Sequence, residues 1–188
     1  MSRIAMFAVA TGAVIVFSAG AQVAGQQIQS VTPQKAADQD QMAGRDEDFI
    51  KDVAQSTQVE LAASTLAMAK ASNAEVKAFA EKLVKEHTEA SRELTALVDV
   101  KGVLLREDDP GLVAKKRKHE SLQTLTGVEF DKEYLEDMIS DHESAMALFG
   151  RQVQYGKDAA VKAFAEKTLP TLRDHLKAAR DLRAKIGK

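Results

Sequence analysis

From Asp46 to Ile186, apolar residues recur at three-and-four spacing in four long runs. Two of the connections between the runs are very short and one is long. Phe49, Val53, Leu61, Ala67 and Met68 predict a first helix over about 46–71. Val76, Phe79, Ala80, Leu83, Ala90, Leu94 and Leu97 share one stripe of a second, ending near Gly102. Phe130, Tyr134, Met138, Ala145, Leu148 and Val153 mark a third over about 128–155, closed by Gly156. A fourth over about 159–186 carries Val161, Phe164, Ala165, Leu169, Leu172, Leu176, Ala179, Leu182 and Ile186. Pro170 inside it removes a backbone donor and predicts a kink.

Start signals agree with these spans. Ser72-Asn73-Ala74-Glu75 and Thr126-Gly127-Val128-Glu129 have the spacing of capping boxes, in which hydroxyl and carboxylate satisfy free N–H groups. Asp158 is placed to cap the fourth helix. Asp109-Pro110 opens a short helix within the long connection 99–127, because Pro suits a first helical position. Leu112, Val113, Leu122 and Leu125 supply that connection's apolar contacts.

Short turns make two antiparallel hairpins, and the long connection carries the chain from one to the other. This predicts an all-α, ferritin-like four-helix bundle with a crossover helix between the second and third long helices. An internal repeat agrees: Ala74–Lys82 and Ala159–Lys167 differ at one of nine positions, as in a bundle of two related hairpins. The alternatives are an up-down-up-down bundle with an inserted helix, or a pair of extended hairpins that dimerises.

Ahead of the bundle, Met1–Ala21 has a basic residue (Arg3), an apolar run from Ile4 to Phe17 and small residues at Ala19 and Ala21. That is the pattern of a secretory signal peptide cut after Ala21, and the run is short for a membrane span. An uncleaved anchor is the alternative. Residues 22–45 are Gln-rich with few large apolar side chains and read as a flexible linker. The folded domain is then 46–186, periplasmic or otherwise exported, with no transmembrane segment once mature.

Composition narrows the functions. With 26 Lys plus Arg against 28 Asp plus Glu and 5% aromatic residues, bulk-charge nucleic-acid binding is not expected. The absence of Cys excludes disulfides, thiolate metal sites and a Cys nucleophile. The basic run Lys115-Lys116-Arg117-Lys118-His119 reads as a solvated face, with an anion- or membrane-binding patch as the alternative.

Polar residues interrupt each stripe. Glu60 follows Val53 by seven, His87 follows Leu83 by four, His142 follows Met138 by four, and His175 follows Leu172 by three. Asp141 precedes Ala145 by four. Glu86 lies at the edge of its stripe and Asp174 points further out. Counted from the turns, partners within each hairpin differ by three residues, about 4–5 Å along the axis. Glu60, His87, Asp141, His142 and His175 are therefore expected in one mid-bundle layer. Such a layer suits Fe, Mn, Zn or Cu. It also suits a metal-free polar layer that fixes helix register. Val84, Lys116, Ile139 and Leu172 stand three before the four His residues. No Glu-x-x-His exists, and a standard di-iron carboxylate site is not expected.

The stretches Phe49–Leu66, Val76–His87, Phe130–His142 and Val161–His175 resemble the exported bacterial ferritin-like "domain of unknown function four-one-four-two" family. The resemblance covers about 46–186. It implies a ferritin-like fold in the periplasm or cell envelope and no established reaction. His87, His142, Leu169-Pro170 and His175 stand at its recurring motif positions.

Three functions remain open: a metal- or small-ligand-binding module tied to envelope stress, a non-catalytic structural or interaction protein, and a metal-dependent oxidoreductase. The non-enzymatic readings are favoured. A second copy of the chain and another envelope component are both open as partners.

Overall fold

The computed structural model describes residues 33–186, with side chains from residue 46 onward. The signal-peptide reading of 1–21 lies outside the described residues. Those described form five α-helices: α1 Pro33–Lys70, α2 Ala74–Lys101, α3 Pro110–Lys118, α4 Gly127–Tyr155 and α5 Ala159–Ile186. A short 3-10 turn, Glu120–Gln123, follows α3.

The long helices pack as hairpins α1–α2 and α4–α5, with α1 against α4 and α2 against α5. Their cyclic order is α1, α2, α5, α4. Cross-helix contacts fix the directions. On the α1–α4 face, Ser64 meets Tyr134 and Asp46 meets Gln152. On the α2–α5 face, Glu75 meets Lys185 and Lys101 meets Asp158. Both faces are antiparallel. The chain leaves α2 at one end of the bundle and enters α4 at the other, so residues 102–126 travel the bundle's length. Buried Leu112 and Leu122 hold this crossover down, and α3 lies on α1.

Helix α1 begins earlier than the sequence suggests. Residues 33–45, expected within the linker, are helical from Pro33, a favourable first residue. Without an apolar stripe, a polar helical extension reads like a linker. Within α1, Phe49, Val53 and Ala67 are buried as expected, while Met68 is 39% exposed and Val59 and Ala63 face the core instead. Helix α5 runs through Pro170 as one element.

The caps differ from the capping-box expectation. Asn73, not Ser72, caps α2, its side chain accepting from the N–H groups of Glu75 and Val76. Thr126 is the residue before α4 but makes no side-chain cap. Asp109 and Asp158 cap α3 and α5.

Ser72 is otherwise engaged. Its N–H and hydroxyl both donate to the carboxylate of fully buried Asp131 on α4, which also accepts from Asn73 N–H. Asp46 on α1 accepts in the same way from Gln152 and from the N–H groups of Lys157 and Asp158. Each hairpin thus grips the other's turn with one buried aspartate.

The interior has two apolar clusters. One contains Ala63, Ala67, Val76, Phe79, Leu83, Phe130, Tyr134, Met138 and Ala179. The other contains Phe49, Ile50, Val53, Leu94, Phe149, Phe164 and Leu172. On every long helix one polar residue sits between them: Glu60, His87, His142 and His175.

Candidate metal centre

The layer between the apolar clusters brings His87, His142 and His175 together from three helices. All three are buried, and one ring nitrogen of each lies within 4.8 Å of the others. Ring centroids are 5.3 to 5.7 Å apart, a nearly equilateral triangle. Glu60 closes the α1 side: its Oε2 is 3.2 Å from His87 Nε2 and 3.9 Å from His142 Nδ1. Neither Glu60 Oε2 nor His87 Nε2 makes a hydrogen bond, an uncommon state for buried polar atoms.

Proton positions follow from the partners. His142 Nδ1 is 2.9 Å from the Met138 carbonyl, which can only accept, so the proton is on Nδ1. His175 Nε2 is 2.5 Å from Glu86 Oε2. Burial opposes ionisation of Glu86, but His175 and Lys82 outweigh it and hold the carboxyl below its usual range. Glu86 is therefore an acceptor, and the His175 proton is on Nε2. Burial pushes His142 down to about 4 and His87 to about 3, helped in both by neighbouring imidazoles. Burial also lowers His175, against the pull of Glu86. All three rings are then neutral at pH 7. The nitrogens left over, His142 Nε2 and His175 Nδ1, stand 3.2 Å apart with a lone pair each.

Two lone pairs at that distance repel unless a cation or an extra proton lies between them. Two imidazole nitrogens on one tetrahedral ion, with bonds of about 2.0 Å, would stand about 3.3 Å apart. A carboxylate or backbone carbonyl on the far nitrogen is the usual support for a metal-ligating histidine. Glu86 and the Met138 carbonyl occupy those positions. His142 and His175 therefore have the spacing of two ligands on one ion, with a His87 nitrogen within 4.8 Å.

Asp141, expected in this layer, is outside the histidine cluster and is held by the crossover, though its charge still acts on Glu60. It pairs with Lys118 and with His119 Nε2, the latter at 2.9 Å. The basic run of the crossover is neither a free patch nor simply a solvated face. Lys115 pairs with Asp52, Lys116 with Glu107, and His119 is buried between Asp137 and Asp141. Burial alone would lower the His119 pKa, but the two carboxylates outweigh it and raise it to about 9. Asp137 and Asp141, four apart and so on one face of α4, were the available sign of that partner. Asp174 is exposed, as expected.

Comparison with known proteins places the chain. Residues 31–182 match the family described as "Domain of unknown function (DUF4142)". The chain belongs to the DUF4142 family. No curated protein matches it. A similar solved structure is the "putative secreted protein DUF305" from Streptomyces coelicolor, at 17% identity and TM-score 0.65, covering 76% of this chain and 94% of that one. At that identity the likeness concerns the fold alone. The DUF4142 match includes 33–45, the stretch by which α1 extends ahead of the expected domain start. Among the described residues of this DUF4142 chain, no helix is long and apolar enough to cross a membrane.

Proposed function

We propose that this DUF4142 chain is an exported, ferritin-like helical domain that holds one transition-metal ion through His87, His142 and His175. The observation that carries this is the 3.2 Å approach of His142 Nε2 and His175 Nδ1, both turned into acceptors by Met138 and Glu86. Glu60 is the candidate fourth ligand. Asp141 is not among the ligands. Imidazole and carboxylate donors suit Zn, Cu or Fe. The square of antiparallel long helices with one crossover supports the ferritin-like reading. The apolar run of 1–21 supports export to the cell envelope, where a metal-holding module would bear on metal or oxidative stress. Mass spectrometry of the exported chain tests the cut: a mature N-terminus at Gln22 is expected, and an intact Met1 end would contradict it.

The test of the metal is elemental analysis of the untagged mature protein with titration by Zn, Cu, Fe and Mn. About one ion per chain is expected, lost in His142→Ala with helicity unchanged. A protein that is metal-free and takes up none of the four would overturn the proposal.

One observation favours a second reading, a register-fixing polar layer. Glu86 could hold an extra proton on His175, which would then donate from both nitrogens, to Glu86 and to His142. Nitrogen-15 spectra of the metal-free protein separate the two: a doubly protonated His175 at pH 7 belongs to this reading. An oxidoreductase needs, in addition, an open coordination position. Peroxide reactivity of the loaded protein would support it, and metal bound without redox change would exclude it.

A further inference from the structure

A cavity of about 370 Å³ opens beside the histidine layer and is lined by all five helices. Its deep walls are apolar: Val53, Leu94, Phe149, Phe164 and Leu172, each at most 6% exposed. Its inner end is formed by Glu60 and His87, whose buried Oε2 and Nε2 make no hydrogen bond. Its mouth carries two matched pairs, Lys115 with Asp52 and Lys118 with Asp141, and the exposed Arg151, which makes no ion pair among the described residues.

We propose that this cavity binds a small, uncharged, mainly apolar molecule with one hydrogen-bonding group directed at Glu60 and His87. The volume is in the range of small-molecule sites, about 300–1,000 Å³. Five apolar walls supply the burial, and a hydroxyl can both donate and accept between the two unpartnered atoms. A charged group has no matching charge in the apolar part, where an unpaired ion costs far more than a neutral polar group. At the mouth, the lysines are held by aspartates, and Arg151 is exposed to water, which screens its attraction for an anion. Helix packing sets the walls, so this inference does not rest on the histidines holding a metal; the contacts to Glu60 and His87 are expected in the metal-stripped chain, where neither is a ligand.

The chain has no Trp, so a naphthyl probe can be read by its own fluorescence. Titrations of the mature chain, metal-stripped and metal-supplemented, with 1-naphthol, naphthalene and 1-naphthoate test the proposal. Saturable 1:1 binding of 1-naphthol is expected, at least tenfold tighter than 1-naphthoate and tighter than naphthalene. Ala145 and Ala90 line the cavity from α4 and α2. Ala145→Phe should weaken naphthol at least tenfold without loss of helicity or bound metal. Ala90→Phe gives the same readout should Ala145→Phe not fold. Glu60→Leu should bring naphthol down to the level of naphthalene. Absence of saturable naphthol binding, indifference to both Phe variants, or naphthoate binding as tightly as naphthol would each overturn the inference. Loss of metal binding alone would leave it standing.

Discussion

His142 has no choice over which nitrogen it presents, because the Met138 carbonyl takes the other. His175 is constrained in the same way by Glu86, which is only partly buried and the more accessible to mutation. Glu86→Ala should weaken metal binding about 10–100-fold with helicity unchanged, the usual effect of losing such a support. Unchanged affinity by titration would show that Glu86 does not orient His175. Titration also has a sign. Burial, with Asp141 nearby, pushes Glu60 up from 4.5 to about 8. The folded protein then holds a proton that the unfolded chain has released, and that contribution to stability is lost as pH rises from about 4.5 through 8. His87 and His142 act oppositely, their contribution being lost as pH falls from 6.5 through about 4 and 3. On the alkaline side Glu60→Gln should therefore flatten the pH dependence of metal-free unfolding, measured by denaturant titration between pH 6.5 and 9. An unchanged slope would place a charged Glu60 in the metal-free fold. The layer residues were legible because each breaks an apolar stripe. The proton-fixing partners were harder to find: one is a backbone carbonyl, and the other lies at a stripe's edge.

At the scale of elements, the helix boundaries followed from periodicity and Gly or Asp punctuation. Helices α4 and α5 match their expected spans to within a residue. The caps were less legible: Ser72 and Thr126 have the right spacing, yet Ser72 is engaged by Asp131 and Thr126 makes no side-chain cap. Asp131 takes Ser72 away and ties the first turn to α4 through three hydrogen bonds to one buried carboxylate. Asp131→Ala should cost about 2–4 kcal/mol in chemical denaturation, since each charge-assisted bond is worth about 1.5–3 kcal/mol and the three share one acceptor. A loss below 1 kcal/mol would mean that water replaces it. The basic run was legible in part: Lys116, Arg117 and Lys118 are exposed as on a solvated face, while Lys115, Lys118 and His119 also meet acids of α1 and α4 that lie far away in sequence. His119 is the clearest case. Its contribution is complete below its unfolded pKa of 6.5 and is lost as pH rises through about 9. Amide exchange in α3, corrected for intrinsic rate, should accelerate over that window in the wild type and not in His119→Gln. A flat wild-type profile would leave the apolar contacts of Leu112 and Leu122 as the main hold on the crossover.

At the scale of the molecule, the near-repeat of Ala74–Lys82 and Ala159–Lys167 has a structural counterpart. Each hairpin contributes one aspartate to the other's turn, and each contributes two residues to the central layer. The arrangement places polar groups at the mid-height of an otherwise apolar interior, where an unsatisfied polar atom is most costly. An all-apolar layer would be the simpler way to stabilise four helices. Three imidazoles, two of them with their outer nitrogens secured and their inner lone pairs 3.2 Å apart, are better explained by an ion between them. The direct measurement is the metal content of untagged mature protein beside His142→Ala, both checked for helicity. About one transition-metal ion per wild-type chain and none in the variant is the predicted result. A folded wild-type protein that carries no metal and takes up none of Zn, Cu, Fe or Mn would contradict it.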